Sequence, residues 1–242
     1  MAETLGTQAA GRWWEYYTLR YFVGTVVGVI AIIFLAKFPN SPLIGLGVLS
    51  VNELSGLGLK EATALGAAGF AYCYIASAPM LLLHAVRGQL GLNPLQARWR
   101  FWAITGIVIA SLQIAAVWRL RISWHSYRWF GSLVFLVVVG VQLALIVTAH
   151  LDRFKAITSF YYALAQVRSK GTPVAEYVES YRHLREHGNS LAILVLEFAL
   201  AYVLVSAQEP TLAFMALILW LLPSIYSWFI GSLLEASGEW RQ

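Results

Sequence analysis

The chain alternates between long apolar stretches and short polar or turn-forming breaks. Six stretches stand out, at 21–36, 64–86, 101–118, 131–149, 191–207 and 211–231. A helix that crosses about 30 Å of hydrocarbon needs about 20 mostly apolar residues, and each stretch approaches or meets that length. The stretches at 21–36, 101–118 and 131–149 carry no polar face, so they do not suit helices lying on a water-soluble core. The pattern predicts an all-α, polytopic integral membrane protein with six transmembrane helices. Pro79 and Pro223 fall inside the second and sixth spans. Proline is tolerated in membrane helices where neighbouring groups satisfy the freed carbonyl, so both are expected to kink their helices. Only Gln208, Glu209 and Pro210 separate the last two spans, which predicts a tight helical hairpin. The segment before the first span mixes Glu3 and Glu15 with Arg12 and Arg20. That is unlike a basic signal-peptide leader, so the first span is expected to be a retained signal-anchor.

Two connections are long. The first, 37–63, holds an apolar run at 43–51 that is too short to span, followed by Asn52 and Glu53. An interfacial cap and a re-entrant segment both fit it. The second, 150–189, reads as a cytoplasmic helical hairpin inserted into the membrane domain. Its helices are expected at 154–167 and 173–187, the latter starting at Thr172 and Pro173 and stopping at Gly188. Tyr177, Tyr181 and Leu184 form a face expected to couple to a partner.

Composition agrees with a membrane protein. Charged residues are only 12% of the chain, against about 25% in soluble domains. The single Cys73 excludes an internal disulfide framework. Charge sets the orientation. With six spans, 12 of the 17 basic residues fall on the side of the two termini and the 150–189 loop. The positive-inside bias therefore predicts both termini in the cytoplasm, and the cell inner membrane is the expected location. Tryptophan and tyrosine cluster at span ends, as at Trp13, Trp14, Tyr16, Trp118, Trp124, Trp129 and Trp228, where headgroup-level anchoring suits them.

Glu197 is the sharpest candidate for chemistry. It interrupts Leu-Val-Leu-Glu-Phe-Ala, roughly 12 Å below the surface at about 1.5 Å per residue. A charged side chain at mid-bilayer costs about 2.5–3.5 kcal/mol on insertion scales, and such residues are functional by default. Gln142 lies at a similar depth and Gln113 somewhat deeper. A Glu197–Gln142 hydrogen bond is expected to stitch spans 4 and 5, and a proton or cation site is the functional alternative. Glu179, His183 and His187 share one helix face at zinc-like spacing, although three ligands on successive turns of one helix rarely converge on a single ion. Pairing with Arg182 and Arg185 is the plainer explanation. His84 and His150 stand at cytoplasmic helix ends, where the helix dipole suits them. Cys73 is expected to serve packing alone. Gly24/Gly28, Gly106/Ala110 and Gly140/Ala144 are small-xxx-small pairs that permit close helix approach.

No phosphate loop, His-Glu-x-x-His or Gly-x-Ser-x-Gly is present, and Ser77 and Ser111 have no activating partner in their spans. The leading expectation is a non-enzymatic, homo-oligomeric pore, such as an ion channel, or a membrane sensor and effector coupled to a cytoplasmic protein partner. The alternative is a small proton-coupled transporter using Glu197, and an intramembrane enzyme ranks last. Partners are expected to be the lipid bilayer and further copies of the chain, with no cofactor and no direct nucleic-acid binding.

Overall fold

The structure is a computed structural model and describes residues 21–38, 58–85, 95–123, 126–151, 153–155, 157–159, 162–163 and 191–237. Among these residues there are helices and turns and no strand. The helices are α1 (Tyr21–Lys37), α2 (Leu59–Ala85), α3 (Leu95–Arg119), α4 (Tyr127–Leu151), α5 (Leu191–Ala207) and α6 (Pro210–Ser237). Four of them, α2, α3, α4 and α6, are long and apolar enough to cross a membrane, as an integral membrane protein requires. The remaining two, α1 and α5, are shorter apolar helices.

Local chemistry accounts for the helix ends. α2 starts at Leu59, five residues before the apolar stretch at 64–86. Gly58 stands at the cap, and Glu61 folds back so closely that a side chain at position 58 would meet its carboxylate. An acid in the first turn also suits the positive end of the helix dipole. At the end of α3, Ile122 N–H donates to the Val117 carbonyl at 3.0 Å, and Arg121 takes the left-handed conformation with φ 50°. That is a Schellman closure with arginine where glycine is usual. Ala207 and Pro210 are joined through Gln208, at φ 60°, and Glu209, which donates to the Ala207 carbonyl. Pro210 opens α6 at the first helical position, where its missing N–H is harmless.

Helix α5 lies at the centre of the bundle. Leu200, Ala201, Val203, Leu204, Val205 and Ser206 are all buried, around most of the helix, while Leu191, Val195 and Phe198 leave one exposed apolar stripe. Its side chains join Ala31 and Leu35 of α1, Tyr72 and Ala76 of α2, and Ala213 and Trp220 of α6 in one apolar core. Along its other flank, Gly131 of α4 is pressed against Ser206 so closely that any Cβ would collide with it. Among the four long helices, α6 packs most extensively on α2 and next on α4, while α3 leans on α4. α3 is the peripheral helix. Ile104, Ile107, Val108, Leu112 and Ile114 are all exposed, with Ile107 at 66%.

α1 and α2 cross closely. A Cβ on Gly28 would strike the Gly69 carbonyl, and one on Gly69 would lie 2.7 Å from the Thr25 carbonyl and 2.8 Å from the Val29 amide. The Gly24/Gly28 pair therefore serves packing within the chain. A Cβ on Gly140 would meet Ile109 of α3, whereas one on Gly106 would meet nothing within 4 Å among the described residues. Pro79 lies inside the continuous α2, and close to it Trp220 Nε1 of α6 donates to the Ala76 carbonyl at 3.2 Å.

Candidate functional site

The candidate site sits where α1, α2 and α5 converge. Helix geometry explains why a polar group there is poorly served. Inside an α-helix every backbone N–H is already bonded four residues back, so Glu197, in the middle of α5, finds no amide donor nearby. Its side chain is fully buried, at 0% exposure. Among the described residues, neither carboxylate oxygen receives an N–H or O–H hydrogen bond. The polar group facing it is the Cys73 thiol of α2, a weak donor. Gly24 makes the third wall. A Cβ there would run into Cys73 Sγ and come within 3.4 Å of Glu197 Oε1. Glycine at position 24 thus leaves the space in which thiol and carboxyl meet.

Tyr72 precedes Cys73 and points to the same level of α5. Its hydroxyl donates at 2.7 Å to the backbone carbonyl of Glu197. The strongest donor near Glu197 is thereby committed to its main chain. The arrangement is a carboxyl held in an apolar enclosure with a thiol neighbour and, among the described residues, no cationic partner.

Gln142 does not join this site, which corrects the expected Glu197–Gln142 bond. Gln142 is buried at 2% exposure, but its Oε1 accepts from Ser224 Oγ of α6 at 3.1 Å, and its Nε2 is unengaged among the described residues. The reason is rotational. α4 turns Gln142 toward α6, not toward α5. Gln113 forms a third, separate cluster. Its Nε2 donates to the Trp129 carbonyl at 3.0 Å and to Ser132 Oγ at 2.9 Å, which ties α3 to the first turns of α4. The three polar residues expected inside the membrane are all buried, yet they fasten three different helix pairs.

Cys73 also departs from expectation, because it contributes the polar neighbour of Glu197 besides filling space. His150 stands in the last turn of α4. Its Nδ1 lies 2.9 Å from the Ile146 carbonyl, and its Nε2 lies 2.6 Å from the Tyr226 hydroxyl of α6. Glu179, His183 and His187, the tyrosine face of Tyr177, Tyr181 and Leu184, and most of the hairpin at 154–187 lie outside the described residues. So do Asn52 and Glu53. Among the described residues no group of three His, Cys, Asp or Glu side chains is placed to hold a metal ion. Comparison with protein-family models, with curated proteins and with solved structures finds no match for this chain.

Proposed function

We propose that this protein is a small proton-coupled membrane transporter in which Glu197 takes up and releases the coupling proton. The observation that carries this reading is the burial of the Glu197 carboxyl with a thiol beside it and, among the described residues, no basic residue paired to it. An isolated ionised carboxylate in an apolar interior is costly, whereas a neutral carboxyl is not. Loading and unloading one proton therefore changes how well α5 fits against α1 and α2. The proposal includes six spans, with α1 and α5 crossing alongside the four longer helices. At about 1.5 Å per residue their 17 residues extend about 26 Å, close to the hydrocarbon thickness. It also includes cytoplasmic termini and a 150–189 cytoplasmic segment, on the strength of the basic-residue bias.

The test is charge movement. Proteoliposomes on a solid-supported membrane should give a transient current on a pH jump, and Glu197→Gln should abolish it while remaining folded and monodisperse. An undiminished current in that variant would sink the proposal. Sustained proton flux in the wild type separates a transporter from a sensor, which gives the transient alone.

A homo-oligomeric pore or sensor–effector coupled to a cytoplasmic protein is the second reading. It rests on α3, whose apolar face is exposed and whose Gly106 has space for a close neighbour. Disulfide cross-linking of Gly106→Cys between copies in native membranes would support it. A strictly monomeric chain would exclude it.

A further inference from the structure

Near the turns that join α3 to α4 and α5 to α6, the bundle opens sideways. α3 and α6 both pack on α4 but make little contact with each other. The gap between them is a cleft of about 260 Å³, floored by α4 and by Val203 and Ser206 of α5. For scale, a cavity of about 150 Å³ already accepts benzene. The walls are apolar, and the mouth is edged by Leu120, Met215 and Leu219, all exposed on the side where lipid would lie.

The polar atoms of this cleft are unequal. Ser132 Oγ donates to the Trp129 carbonyl at 2.9 Å and accepts from Gln113 Nε2 at 2.9 Å, and Ser206 Oγ donates to the Tyr202 carbonyl at 2.7 Å. Both hydroxyls are therefore satisfied within the protein. Arg128 is not. Its side chain lines the cleft, its Nε is buried, and that N–H has no acceptor. Among the described residues no carboxylate pairs with the guanidinium. A buried guanidinium N–H without an acceptor is costly, and it is best answered by an oxyanion that takes the planar fork in bidentate fashion. Arg119 and Arg121 stand at the same end of the bundle on exposed positions, so the local field also favours an anion.

An apolar cleft open to the bilayer, with one unanswered guanidinium at its headgroup end, fits an amphiphile in both of its parts. We infer that this cleft is a binding site for an anionic phospholipid, its acyl chain lying between α3 and α6 and its phosphate on Arg128. Phosphatidylglycerol is the probe of choice, since it shares its acyl chains with phosphatidylcholine but keeps the net negative charge. The site is about 15 Å from Glu197 along α5, counted over the helix rise, so it does not depend on the proton site.

Native mass spectrometry from mixed micelles, together with thermal unfolding, reads the outcome. The wild-type chain should retain phosphatidylglycerol in preference to phosphatidylcholine. Arg128→Gln should weaken that retention roughly tenfold, the usual scale for losing a hydrogen bond to a charged group, and Arg128→Lys should restore part of it. Ala116→Phe fills the cleft from the peripheral helix, where repacking is least disruptive, and should reduce retention with Arg128 intact. Equal retention of the two lipids by the wild type would overturn the inference, as would unchanged retention in Ala116→Phe. Thermal stabilisation by inorganic phosphate equal to that by short-chain phosphatidylglycerol would overturn it in favour of a small-anion site.

Discussion

The Tyr72 hydroxyl donates to the backbone carbonyl of Glu197 at 2.7 Å and leaves the carboxyl of the same residue to a thiol. The bond locks α2 to α5 at the level of the candidate site without neutralising it. Tyr72→Phe should lower stability by about 1 kcal/mol, the usual net value of one hydrogen bond. Thermal unfolding in detergent reads this, and the proton-dependent current should persist with altered amplitude or rate.

A structural Glu197 and a functional one respond differently to an apolar replacement. Methionine has similar bulk and no charge. Replacing a buried, poorly partnered polar group by an apolar one is neutral or stabilising, whereas deleting a member of a satisfied network costs about 1–3 kcal/mol. Glu197→Met should therefore unfold no earlier than the wild type while losing its pH response. An early-unfolding variant would show that the carboxyl is structural glue.

The Gln142–Ser224 pair gives a double-mutant cycle. Ser224→Ala removes the donor that reaches Gln142 Oε1 and should cost about 1–3 kcal/mol by stranding a buried amide. Gln142→Leu removes the stranded group itself. Adding Gln142→Leu to Ser224→Ala should recover most of that loss, and simple additivity of the two effects would contradict the pairing.

Gly69 tests the helix crossing. Its hypothetical Cβ meets backbone atoms of α1 at 2.7–2.8 Å, and backbone gives way less readily than a side-chain tip. Gly69→Ala should destabilise by about 1–3 kcal/mol, as overpacking does. Gly106→Ala, on the open face of α3, should be neutral or slightly stabilising.

Arg121 occupies a left-handed position at the end of α3, with φ 50°. Glycine adopts that conformation without the Cβ penalty. Arg121→Gly should raise stability by about 0.5–1 kcal/mol, seen as a higher unfolding midpoint.

Burial of the polar residues within the apolar helices was legible in the sequence and rotation about each helix axis was not. The apolar run around Glu197 places it well inside an apolar helix, and the structure buries it completely. Its neighbours could not be read off, because α2 is apolar on every side and its pattern marks no face. Cys73 and Tyr72 therefore gave no sign of pointing at α5. The same ambiguity misdirected Gln142, whose depth suits Glu197 but whose azimuth takes it to Ser224. Helix starts were misread for a different reason. The short-range capping by Gly58 and Glu61 extends α2 beyond its apolar stretch, and a hydrophobicity pattern does not register such capping.

The position of α5 at the centre of the bundle has a consequence for the order of synthesis. The helix that fills the middle emerges after α1 to α4, so the ribosome delivers the keystone late. Until residues 191–207 are inserted, the groove at Gly24 and Cys73 and the face of α4 at Gly131 stand open to lipid or to chaperones. A chain interrupted before α5 retains four helices but lacks the surface on which they converge. Early termination should therefore leave a degradable fragment, without a smaller working protein within it.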